Sequence, residues 1–190
     1  MALTTLDERT ALVIIDLQHG IAGASTEPYS GRDVVARSAD LAAAFRSRDL
    51  PVVLVRVSFA ADGSDMAPGR TEQAGSRTTP APGWDEIVPE LLTGDDLIVT
   101  KRNWGAFHGT DLDVQLRRRG ITQVVLAGIA TSIGVESTAR AAHEHGYHVT
   151  LATDAMTDMS AESHRHSLER IFPRLGETGS TAEIIDLLKR

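Results

Sequence analysis

The chain has 190 residues, 42% of them apolar, no cysteine and a formal net charge of -7. That length builds one sizeable core rather than two, so a single domain over 1–190 is expected. The negative balance argues against a phosphate-tracking surface, and the lack of cysteine excludes disulfides, thiolate metal sites and thiol nucleophiles.

Residues 1–10 contain no basic segment leading into an apolar run, and nowhere do about 18 apolar residues follow one another. The expectation is a cytoplasmic protein that acts on a small molecule, with no nucleic-acid or membrane partner. Short Val-, Ile- and Leu-rich runs recur at 11–15, 52–57, 97–99, 124–129 and 149–151. None alternates with polar residues, as befits strands buried on both faces. Helical spacing appears between them, in Val34, Ala39, Leu41, Ala42 and Phe45, and in Leu112, Val114 and Leu116. Thr110 stands three residues before Asp113 and Ser180 three before Glu183, a capping pattern, while Gly120 and Gly146 stand where helices stop. Strands alternating with helices predict an α/β fold, a doubly wound three-layer sandwich around a mainly parallel sheet. The stretch 60–83 is long, polar and rich in glycine and proline, as lids and partner loops are.

Polar residues just after buried strands are the first candidates for chemistry, because the carboxyl ends of a parallel sheet converge on one crevice. Asp16 follows the first run, Lys101 follows Leu-Ile-Val-Thr, and 128–134 follow the fourth run. An aspartate and a lysine sharing a partly buried crevice hold each other charged and can position a proton. Alone, Asp16 also reads as a turn carboxylate and Lys101 as a surface charge.

The text around them is distinctive. It reads Ala-Leu-Val-Ile-Ile-Asp-Leu-Gln at 11–18, Thr-Lys-Arg-Asn-Trp-Gly-Ala-Phe-His-Gly-Thr-Asp-Leu at 100–112 and Gly-Ile-Ala-Thr-Ser-Ile-Gly-Val-Glu-Ser-Thr-Ala-Arg at 128–140. In order and spacing these segments resemble the signatures of the isochorismatase-like hydrolases, in the cysteine hydrolase superfamily. The resemblance implies that Asp16 and Lys101 match the aspartate and lysine of an Asp-Lys-Cys triad, with Gly134 at the cysteine's position. It implies a cis peptide at Ile129-Ala130, backbone amides of Ala130 and Gly134 forming an oxyanion hole, and a homodimer or higher oligomer. Without a thiol the acyl-enzyme route is closed, and Arg56 to Ala60 lacks the metal-binding pattern of nicotinamidases, so neither metal nor cofactor is expected. Isochorismatases also lack a working cysteine here; by that likeness Asp16 is the general acid or base and Lys101 orients it. Trp104 and Phe107 would wall a flat substrate, or else simply pack in the core. Arg70, Gln73 and Arg77 are loop residues of a kind that serves a substrate carboxylate, with nothing to align them.

Two other readings stand beside this one. Ala130-Thr131-Ser132-Ile133-Gly134 mimics a nucleophile elbow, with Asp154 or Asp158 and His164 or His166 following in triad order, although Ser132 also reads as a helix cap. A chain without its nucleophile also fits a binding protein that has lost catalysis. His143 with His145, and His164 with His166, are spaced by two and read as solvated helix residues rather than metal ligands. Arg117, Arg118 and Arg119 suit a helix C-terminus, and Glu136 with Arg140 a local ion pair.

Overall fold

All six residues of β1 (Thr10–Ile15) are buried, because the strand lies mid-sheet and shows apolar side chains to both layers. Ala11, Val13 and Ile15 enter one core, and Leu12 and Ile14 the other. The computed structural model describes residues 3–66, 70–72 and 81–189. After β1 come α1 (His19–Ala22), α2 (Gly31–Arg46), β2 (Val52–Val57), β3 (Leu97–Lys101), α3 (Leu112–Arg118) and β4 (Gln123–Ile129). Then follow α4 (Glu136–Glu144), β5 (His148–Thr157), α5 (Ala161–His166), β6 (Glu177–Gly179) and α6 (Thr181–Leu188).

The six strands are all parallel, in the order β3-β2-β1-β4-β5-β6. The chain therefore starts in the middle, builds outward through β2 and β3, and returns to the other side of β1 for β4. That reversal opens a crevice at the carboxyl ends of β1 and β4. On one face Leu112 and Leu116 of α3 and Ala139 and Ala142 of α4 pack on the sheet. On the other face lie Val34, Leu41, Ala42 and Phe45 of α2, with Ile184 of α6. The doubly wound sandwich is thus present, and each run expected to be a strand is one.

Local chemistry sets several boundaries. Ser30 and Asp33 close a capping box at α2, and Ser180 with Glu183 closes the one expected at α6. Gly120 and Gly146 follow α3 and α4 with φ of 66° and 83°, the left-handed turn that ends a helix. The Thr110 cap is not formed as expected: α3 begins after Asp111, and Thr110 Oγ1 instead accepts from Leu112 N at 3.2 Å. The short edge strand β6 has too little apolar sequence to announce itself. Among the described residues no helix is long and apolar enough to cross a membrane.

Candidate active site

The end of β1 delivers Asp16 to the crevice. Its amide still donates to Val55 O at 2.8 Å, but its φ is 54°, a left-handed turn that aspartate tolerates better than most residues. Two residues on, the Gln18 amide straps this turn to β2, its Nε2 donating to Val57 O at 3.0 Å and its Oε1 accepting from Val57 N at 2.9 Å. Lys101, the last residue of β3, reaches across from the edge of the sheet. Its Nζ lies 2.7 Å from Asp16 Oδ2 and donates to Asn103 O at 3.1 Å. Both side chains are buried, at 7% and 3% exposure.

From the opposite side comes the end of β4. Gly128 has φ of 118°, and a Cβ there would stand 2.1 Å from Ile15 O, so only glycine lets β4 approach β1 this closely. The Ile129-Ala130 peptide is cis, and a π-helical turn, Thr131–Val135, leads into α4. Three polar contacts fix that turn. Asp158 Oδ2 accepts from Ser132 N at 2.6 Å, Thr131 Oγ1 lies 2.8 Å from His164 Nδ1, and Thr138 Oγ1 donates to Gly134 O at 2.7 Å. Gly134 is brought against the acid: a Cβ on it would lie 3.4 Å from Asp16 Oδ2 and 2.9 Å from Ile15 Cγ2. The space a nucleophile's side chain would leave through is therefore pressed by a buried isoleucine methyl.

Electrostatics at this spot are set by two opposing effects. Burial pushes the Asp16 carboxyl up to about 6, although the Lys101 charge and its hydrogen bond pull the other way. Asp16 Oδ1 is also buried without a hydrogen-bond partner, which adds to the cost of the charged form. The outcome is a carboxyl that exchanges its proton near neutral pH.

Above the pair opens a cavity of about 560 Å³ that Asp16, Lys101, Ala130 and Gly134 line together. Phe59 and Trp84 form one wall, with ring centroids 6.1 Å apart and planes 12° from parallel. Trp104, Ile133, Met66 and Met159 stand at the mouth, 68%, 38%, 36% and 50% exposed. Arg102 also lines it, with Nε on Asp65 Oδ2 at 2.5 Å. Among the described residues no three His, Cys, Asp or Glu side chains converge to hold a metal.

Comparison with known proteins identifies the family. The Isochorismatase domain model matches residues 10–183. The chain belongs to the isochorismatase family. It is 48% identical over 186 residues to the isochorismatase family protein YwoC of Bacillus subtilis, covering 96% of this chain and 95% of that protein. Over 180 residues it is 44% identical to YecD of Escherichia coli O157:H7, covering 94% and 96%. The structure of an isochorismatase family protein from Burkholderia thailandensis superposes with a TM-score of 0.94 at 48% identity, covering 98% of each chain. The protein is accordingly a hydrolase of the isochorismatase family, built on that family's α/β fold.

Within that frame the structure brings Asp16, Lys101, Ala130, Gly134 and Trp104 to one cavity, and corrects several expectations. Phe107 does not wall the cavity: it is 8% exposed in the core, its ring 5.1 Å from His145 and 5.9 Å from Tyr147. It lies three residues past Trp104, and Ala106 N donates to Thr138 Oγ1, turning the segment inward onto α4. Ser132 is not a helix cap, and of its expected triad partners only His166 shares a pocket with it. Ala130 occupies the cap position without a side-chain hydrogen bond, Asp158 is spent on backbone amides at 132 and 159, and His164 faces Thr131. Asp154 caps α6 through Thr181. His164 is buried rather than solvated, and burial holds its imidazole towards the neutral form. Arg70 is exposed and does not line the cavity; Gln73 and Arg77 lie outside the described residues. Sequence reasoning missed Gln18, Phe59 and Trp84. Gln18 had a signal, being a buried polar residue within the motif at 11–18, whereas the aromatic wall sits on irregular chain with no periodicity.

Proposed function

We propose that this hydrolase cleaves its substrate with water and without a covalent enzyme intermediate, Asp16 acting as the proton donor and acceptor and Lys101 holding it in place. One observation carries the reading: a buried carboxyl whose proton affinity burial has raised stands beside a position with no side chain, Gly134. With an enol ether, Asp16 would protonate the terminal carbon of the double bond, giving an oxocarbenium ion. Water then adds to that ion, and the Asp16 carboxylate takes the water's surplus proton. Collapse of the hemiketal releases an alcohol and a carbonyl compound. One water is consumed and Asp16 ends as it began.

The remaining groups fit these steps. Lys101 keeps the carboxyl in one rotamer, and the aromatic wall and mouth exclude bulk water from the cation until one water attacks. Ala130 and Gly134 line the same space, Gly134 without a side chain to crowd a substrate placed against Asp16. The test is turnover on a panel of enol ethers, esters and simple amides. Wild type should hydrolyse an enol ether, Asp16→Asn should lose roughly a hundredfold or more, and simple amides should stay intact. An Asp16→Asn protein that is folded and fully active would remove Asp16 from the chemistry.

A further inference from the structure

The turn that carries Gly134 is not held by its own sequence. Thr131-Ser132-Ile133-Gly134-Val135 contains no strong helix former, and its π-helical form is itself rare. The Ala130 carbonyl accepts from both Ile133 N at 3.2 Å and Val135 N at 3.1 Å. Yet this turn and the residue before it supply Ala130, Ile133 and Gly134 to the cavity and set where they stand against Asp16. Its place must therefore be fixed by what packs behind it.

Two grips come from the segment that follows β5. Asp158 Oδ2 accepts from Ser132 N, and Asp158 is itself anchored by the amides of Met159 and Ser160. The second grip is His164 of α5, whose Nδ1 lies 2.8 Å from Thr131 Oγ1. Thr131 is fully buried and His164 is 5% exposed, so loss of this bond would leave a buried hydroxyl unpaired. The imidazole is set in turn by Tyr29, edge-on to it with ring centroids 6.4 Å apart and planes at 88°. Tyr29 is bound through its amide and its carbonyl to Thr157 at the end of β5, and the Arg37 guanidinium lies over its ring at 4.4 Å. A chain of contacts thus runs from α2 and β5 through His164 to the first residue of the turn. His164 itself is not among the residues that line the cavity.

We infer that His164 is a positioning residue for the reaction: through Thr131 it holds the Thr131–Val135 turn, and so Gly134, in register with Asp16, without touching the substrate. The bond needs a polar group at the Nδ1 position. An asparagine amide reproduces that position, whereas a glutamine amide reaches the Nε2 position instead. The aromatic wall of the cavity lies on other segments, so a small drift of the turn should cost rate rather than affinity.

This role rests on the proposed reaction, so one arm of the test reads turnover and the other does not. On the enol ether, His164→Gln should lower kcat about tenfold or more with KM within about twofold, whereas His164→Asn should stay within about threefold of wild type. Thr131→Val should show the same loss as His164→Gln, and the double variant no further loss, because both remove one bond. Thr131→Ser keeps the hydroxyl and should resemble wild type; should His164→Gln fail to fold, the two Thr131 variants carry the same contrast. Without any substrate, amide hydrogen exchange at Ile133 and Val135 should speed up about tenfold in His164→Gln but not in His164→Asn, while the β4 amides stay protected. Equal kcat losses in the Asn and Gln variants, or losses that multiply in the double variant, overturn the role, and so does unchanged exchange at Ile133 and Val135. A wild type that hydrolyses no enol ether defeats the proposed reaction instead, and the exchange comparison then decides whether His164 holds the turn.

Discussion

The floor and the mouth of the cavity are built from different material. The floor is strand ends: Ile15 and Asp16 at the end of β1, Lys101 at the end of β3, and Gly128 to Thr131 with Gly134 at and just past the end of β4, all buried. The mouth is irregular chain carrying Met66, Trp84, Trp104 and Met159, half-buried or exposed. A position in the sheet fixes the floor to within a methyl group, so it can hold a proton donor in one place. The mouth is held by ring stacking and a half-exposed ion pair, which suits selection of what enters rather than the chemistry itself.

Changes to the floor should therefore damage the fold or the chemistry, and changes to the mouth only binding. The largest effect is expected from Gly128→Ala, because its methyl would collide with the Ile15 carbonyl. A loss of about 4 kcal/mol or more is expected, read as a fall in Tm of roughly 10 °C or as insoluble protein. Next is Lys101→Met, which leaves Asp16 buried without its cation. Breaking a buried pair costs on the order of 3 kcal/mol at neutral pH, and the Asp16 proton affinity should rise, moving the pH dependence of turnover upward. Gly134→Ala should follow at roughly 1–3 kcal/mol, as expected for an overpacked core, since its Cβ meets Ile15 Cγ2. The same crowding means that Gly134→Cys should not behave as a simple restored cysteine hydrolase. The smallest effect belongs to the mouth: Trp84→Ala should leave Tm nearly unchanged and raise KM about tenfold with little change in kcat.

Stability itself should carry the signature of the floor. Asp16 takes up its proton near 6 in the folded chain against 3.8 in an ordinary setting. Between those values the folded state binds the proton more tightly, so this group's contribution to stability falls as pH rises through the window and is level above it.

The same division decides what the sequence made legible. The floor could be read because buried parallel strands are continuous apolar runs and their first polar successors must enter the crevice, which singled out Asp16 and Lys101, whereas Gly134 was marked only by the resemblance of 128–140 to a family signature. The sandwich followed from those same runs, whereas β6 did not, being three residues on an edge. The mouth could not be read in this way. Phe59 and Trp84 meet from segments 25 residues apart with no repeating pattern, and Phe107 looked like Trp104 until tertiary packing drew one into the core and left the other in water. His164 was misjudged for a related reason: spacing on a helix tells which residues point apart, not which side the core lies on.

The most direct test is the pH dependence of kcat/KM for hydrolysis of a neutral enol ether by wild type and Asp16→Asn. If Asp16 must be protonated to begin the reaction, the wild-type rate should be level below a pH of about 6 and fall about tenfold per pH unit above it. Asp16→Asn should be slow throughout and lack that break. A wild-type rate that climbs through the same pH, or a variant that keeps the wild-type profile, would contradict the assignment of Asp16 as the proton donor.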